Sequence, residues 1–244
     1  MLRMTLCLVF VLGLLLQTPV VADNQAVQLS NSHLRIVLSS DGSRILELTE
    51  LPSGINLLDG KGAHHLWSIA MTRSGEALDL QPGLAKSFRA EPLREAVPAV
   101  RLIWEDFGLD AAPRLRVVAT VRLDSDAAMS RWQVAIENSG KFRIGKVRYP
   151  IISGIRERKD EQLAVPTWLG IQTGEARRVF RGRNGKGSRL DWDYPGHTSL
   201  QCISFSASDA PGLYAACDDT EALRKIFSMW GDGNSIFYEM VHLP

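Results

Sequence analysis

The chain has 244 residues, 45% of them apolar, 23% charged and 7% aromatic, a composition that excludes a disordered or collagen-like protein. Its 27 acids face 28 basic residues, so no long-range attraction draws it to nucleic acid or to an anionic membrane surface. Three cysteines are too few for a disulfide-stapled mini-domain.

Residues 1–22 differ from the rest. Arg3 gives a basic start, Thr5 to Leu16 form an apolar run, and Val20-Val21-Ala22 supplies small residues before Asp23. The run is about 12 residues, short of the roughly 20 that span a membrane, so the pattern reads as a cleaved signal peptide. The expectation is a secreted or periplasmic protein, with no membrane segment after cleavage and a single domain over residues 24–244. Cys7 leaves with the signal, and Cys202 and Cys217 remain.

Period-two alternation then dominates, and helical periodicity is nearly absent. Leu34, Ile36 and Leu38 alternate with Arg35 and Val37, turn at Ser40-Asp41-Gly42 and return through Leu46 and Leu48, which predicts a hairpin. Val100, Leu102 and Trp104 line one later strand. Leu115, Val117, Ala119, Val121 and Leu123 line another, opposite Arg114, Arg116, Thr120 and Arg122. Trp132, Val134 and Ile136 continue the pattern, and Asn138-Ser139-Gly140 turns the chain into a strand from Phe142 to Tyr149 that Pro150 ends or edges. Two closing hairpins follow. One joins Ser199 to Phe205 with Leu213 to Cys217, and the other joins Lys225 to Trp230 with Ile236 to Val241 through Gly231-Asp232-Gly233-Asn234. Only Thr220 to Leu223 suggests a helical turn. The fold class is therefore all-β, a large antiparallel sandwich with very little helix.

The order of segments carries a resemblance. Leu29-Ser30-Asn31-Ser32-His33-Leu34 ahead of Asp41-Gly42-Ser43, then Trp132 to Asn138, then Val147-Arg148-Tyr149-Pro150-Ile151 to Ile155, Tyr194-Pro195-Gly196 with Gln201, and Gly212 to Asp219 are similar to one family. They resemble the N-terminal β-supersandwich, of galactose-mutarotase-like type, that precedes the catalytic barrel in certain secreted glycoside hydrolases. The resemblance implies a carbohydrate-associated accessory domain, no cofactor, and a catalytic acid pair in a barrel of roughly 250 residues that would follow the sandwich. The sequence stops at Pro244, so the expectation is a truncated product, or a sandwich that acts alone or with a separately encoded catalytic partner. The alternatives are a sugar epimerase or polysaccharide lyase using the sandwich cleft, and a purely structural or protein-binding sandwich.

Within this frame no catalytic residues are assigned. Asp191 and Asp193 would share one face of an extended segment, and Asp218 and Asp219 adjoin, but solvated turn acids account for both pairs. The ligand-binding expectation falls on Trp192, Asp193, Tyr194 and His197, with Trp168 and Gln201 beside them, because aromatic faces stack on sugar rings while polar groups bond hydroxyls. The rival reading has the aromatics capping the core. Arg183 joins the set as part of a basic run from Arg177 to Arg189 that holds no acid; it would favour an anionic glycan, unless it is a solvated loop. His64 and His65 are adjacent and face opposite ways in a strand, and no metal site is expected. A register pairing Phe205 with Tyr214 would set Cys202 opposite Cys217 for a cross-strand disulfide, with two buried thiols as the other option.

Overall fold

The computed structural model describes residues 26–60, 64–182, 187–232 and 235–244. The expected signal peptide, Arg183, Lys186, Gly233 and Asn234 lie outside the described residues. Among these residues no helix is long and apolar enough to cross a membrane.

Strands β1 (Val27–Ser30), β2 (Leu34–Leu38), β3 (Ile45–Glu50) and β4 (Ile55–Asn56) form a four-stranded antiparallel sheet in chain order. The expected opening hairpin is there, with Leu38 opposite Ile45. β5 (Ser68–Arg73) and β6 (Glu76–Leu80) make the next hairpin. β7 (Ser87–Pro92), β8 (Ala99–Glu105), β9 (Arg116–Leu123) and β10 (Ser130–Glu137) then build a second four-stranded sheet, order β10-β9-β8-β7. The alternation read from the sequence decides its faces: Val117, Ala119, Val121 and Leu123 are buried, while Arg116 pairs at the surface with Glu137 and Glu105.

The long strand β11 (Arg143–Ile155) joins β5 on one side and the last strand on the other. Pro150 was expected to end or edge this strand; instead it lies inside a central one. A register shift explains the difference. Pairing to the last strand passes from Arg148 opposite Val241 to Ile151 opposite Glu239, and pairing to β5 extends no further than Arg148, so the missing Pro150 N–H falls where no ladder bond is made.

β12 (Gln162–Val165) and β13 (Ile171–Thr173) precede a short helix, α1 (Ala176–Arg181), and β14 (Arg189–Tyr194) follows it. β15 (Cys202–Ser206) and β16 (Leu213–Ala216) complete a third four-stranded sheet, order β13-β12-β15-β16, and β17 (Lys225–Asp232) with β18 (Ser235–His242) closes the fold. The largest sheet runs β14-β17-β18-β11-β5-β6. Its inward face carries Ile69, Met71, Val147, Tyr149, Ile152, Phe227, Met229, Tyr238 and Met240, which share one core with Val100, Leu102, Trp104 and the inward row of β9. Trp67 meets Trp104 edge-on, and Trp132 meets Tyr149, across the layers.

Three local readings change. The segment Thr220 to Leu223 is not helical: the Asp219 carboxylate accepts the Glu221 and Leu223 N–H groups, and Ala222 holds a positive φ of 54°, so the chain makes an irregular turn. The helix lies instead in the basic run, where Ala176, Arg177 and Phe180 form its buried side. The β15–β16 register is one residue off the symmetric one: Phe205 faces Leu213, and Cys202 faces Ala216, while Cys217 N–H bonds the Gln201 carbonyl. The two cysteines therefore point to opposite faces, both thiols are free, and a disulfide between them is sterically closed.

Candidate functional site

β14 alternates in sequence between apolar and charged residues. Leu190, Trp192 and Tyr194 pack against the core, and Arg189, Asp191 and Asp193 take the other face of the largest sheet. Register carries that outward face across the neighbouring strands. Asp191 is opposite Ser228, and Ser228 is opposite Glu239; Arg189 is opposite Trp230, and Trp230 is opposite Phe237. On the far side Arg148 is opposite Ser68.

The side chains link into one chain of contacts. Arg148 Nη1 donates to Ser68 Oγ at 3.0 Å, and Arg148 Nε lies 3.6 Å from Glu239 Oε1. Arg189 Nη2 donates to the same carboxylate oxygen and to Ser228 Oγ at 2.8 Å, and its Nε donates to Asp191 Oδ1 at 2.8 Å. Ser228 Oγ in turn donates to Asp191 Oδ1. Glu239 and Ser228 are buried at the floor, whereas the Arg189 and Asp191 side chains rise to 40% and 46% exposure. Burial works against the Arg189 charge, but the bonds to Glu239 and Asp191 outweigh it and hold the guanidinium above its ordinary value. Its cationic plane also lies 4.9 Å from the centre of the Trp230 ring, which stacks on Phe237, and His64 meets both rings edge-on.

The placement of Arg189 depends on a close approach of backbones. A Cβ on Gly187 would lie 1.5 Å from the Gly231 carbonyl oxygen, and one on Gly231 would lie 2.3 Å from the Phe180 carbonyl oxygen. Only hydrogen fits at both positions, so the end of α1, the start of β14 and β17 cross in contact.

The residues singled out in the sequence divide among four environments. Tyr194 and Gln201 meet around a residue the sequence reading missed, the buried Lys225, whose Nζ donates to Gln201 Oε1 and Asp219 Oδ2, both at 2.7 Å, and lies 5.0 Å from the Tyr194 ring centre. The Lys225 bond holds the Asp219 carboxyl below its usual range. Asp193 turns to the opposite face and pairs with Arg224 at 2.8 Å, and Trp192 packs against the core. Trp168, 88% exposed, and His197, also exposed, sit on two turns that the Thr167–Thr198 bridge brings together. Arg183 lies outside the described residues.

The basic run does not present free charge where it is described. Its acids come from elsewhere in the chain: Arg177 pairs with Glu161, Arg178 with Glu175, Arg181 with Glu157, and Arg189 with Glu239 and Asp191. A depression beside α1 is lined by these paired groups, and a smaller one by Leu57, Ile155, Phe205 and Leu213. Among the described residues no group of three or more His, Cys, Asp or Glu side chains is placed to hold a metal ion.

No family model and no curated protein matches the chain. Among solved structures it is similar to a galactose mutarotase related enzyme from Lactobacillus acidophilus, with 10% identity and a TM-score of 0.53 over 88% of this chain and 84% of that one. At that identity the likeness shows the fold alone: the chain is a galactose-mutarotase-like antiparallel β-supersandwich.

Proposed function

We propose that the protein is an exported, non-catalytic carbohydrate-binding sandwich that works beside a glycoside hydrolase, and that sugar is held on the outward face of the largest sheet. One observation carries this reading: Ser68, Arg148, Glu239, Arg189, Ser228 and Asp191 form a continuous row of alternating donors and acceptors on a rigid sheet, ending in half-exposed polar groups. Sugar hydroxyls both donate and accept, so such a row suits them. Both carboxylates are engaged by Arg189, which favours holding a ligand over transferring a proton. The likeness of the fold to a mutarotase-related enzyme and the signal-like first 22 residues support the sugar and export parts of the proposal. The exposed Trp168 ring beside His197 supports a second contact surface, where a planar apolar face would take a sugar ring by stacking.

A glycan array followed by calorimetry on wild type, Glu239→Gln and Trp168→Ala tests the reading. Glu239→Gln removes the buried carboxylate that holds Arg148 and Arg189 in place and is expected to weaken binding about tenfold or more. If only Trp168→Ala weakens it, the sheet face is not the site. Absence of any glycan binding overturns the carbohydrate reading as a whole.

A further inference from the structure

The polar row is long as well as polar. Ser68 stands on β5, Arg148 on β11, Glu239 on β18, Ser228 on β17, and Arg189 with Asp191 on β14, five adjacent strands of one sheet. At about 4.8 Å per strand, the row extends about 19 Å across the sheet. That is several times the width of a single pyranose ring. Glu239 and Ser228 are buried beneath the row, so the accessible polar groups lie at its two ends, Ser68 with Arg148 at one and Arg189 with Asp191 at the other, rather than converging on one point as in a site for one sugar.

The row is also electrically balanced along its length. Arg148 and Arg189 alternate with Glu239 and Asp191, and the neighbouring Arg224–Asp193 pair repeats the pattern at the β14 end. A ligand bearing a carboxylate or sulfate on every ring would meet the half-exposed Asp191 at the β14 end, and the two arginines of the row are already paired with Glu239 and Asp191. A neutral ligand meets donors and acceptors in turn.

Resting on the carbohydrate reading above, we infer that this face binds a neutral oligosaccharide or polysaccharide chain running across the strands from Ser68 to Asp191, rather than a monosaccharide or an acidic glycan.

The test is calorimetric titration with neutral gluco-, manno- and xylo-oligosaccharides, each from monosaccharide to hexasaccharide, and with galacturonic acid oligomers of the same lengths. Affinity is expected to climb with length of the neutral series and to change little with salt. Ser68→Ala and Asp191→Asn, at opposite ends of the row, are each expected to weaken hexasaccharide binding about fivefold. Thermal melting checks that both variants fold. A monosaccharide that binds as tightly as the hexasaccharide overturns the inference while leaving the carbohydrate reading standing. So does tighter, salt-sensitive binding of the acidic series, or a hexasaccharide affinity that neither end variant changes. No binding to any sugar overturns both.

Discussion

Arg177 is the residue through which α1 is fastened to the rest of the molecule, and removing it gives a measurable result. Its guanidinium donates from Nε and Nη2 to the two oxygens of Glu161, and from Nη2 to the Arg156 carbonyl at 2.9 Å. Both partners are buried, 6% and 8% exposed, and Glu161 has one other described donor, the Arg158 N–H. Arg177→Met keeps most of the apolar stem, so the loss falls on the charge: Glu161 stays buried with one neutral donor, and the Arg156 carbonyl loses its bond. Breaking a buried pair in this way costs about 3–5 kcal/mol, against about 0.2–1 kcal/mol for an exposed pair. That is a large share of the roughly 5–15 kcal/mol that holds a typical domain together. With a urea slope of about 2–3 kcal/mol per molar, the midpoint should move down by more than about 1 M. Replacing both partners, Arg177→Met with Glu161→Leu, removes the stranded charge and should recover much of the loss. The reasoning fails if the single variant shifts the midpoint by less than about 0.3 M, or if the double variant is no better than the single.

Two further predictions concern the frame of the site. Gly231→Ala would press a methyl group to 2.3 Å from the Phe180 carbonyl oxygen, so it is expected to cost about 2 kcal/mol or more and to weaken any ligand held by Arg189; wild-type melting and binding would refute the close crossing. Burial pushes His242 below its ordinary value of 6.5, with Lys225 acting in the same direction, so the folded protein keeps it neutral while the unfolded chain takes up a proton. Stability should therefore fall as pH drops through about 6.5, and His242→Gln should flatten that slope; an unchanged slope in urea titrations at pH 7 and pH 5 would show that His242 does not contribute.

The strands were legible because one face of each is wet. Val117 to Leu123 and Trp132 to Ile136 alternate so strictly that their inward rows could be named from the sequence, and they are the inward rows of the structure. β14 shows the same period in Arg189 to Tyr194, and Asp191 and Asp193 share a face, but grouping Trp192, Asp193 and Tyr194 as one ligand surface overlooks the alternation that sets Asp193 on the face opposite its neighbours. The row on the outward face was hidden for a different reason. Ser68, Arg148 and the hairpin that carries Ser228 and Glu239 come from three places far apart in the chain, and only register makes them neighbours. One signal was available: Glu239 is a lone acid in the apolar run Ile236 to Val241, and a charge buried there needs a partner. The basic run was misjudged similarly, since the acids that neutralise it lie outside it. Lys225 gave no sign, because its three acceptors converge only when the turn around Asp219 is folded.

The position of the last hairpin bears on the order in which the protein can assemble. β17 and β18 do not add to the rim of the largest sheet; they fill its middle, between β14 and β11. Until β17 has been synthesised β14 has no strand to pair with, and until β18 has been synthesised β11 is bonded along one side only, through Arg143 to Arg148. The amino-terminal strands can form hairpins as they emerge, but the sheet that carries the polar row cannot close before β18 has been made. Its key contacts join residues far apart in sequence, which makes closure a late and slow event. For an exported polypeptide, as proposed above, that delay keeps the chain threadable until β17 and β18 have been made.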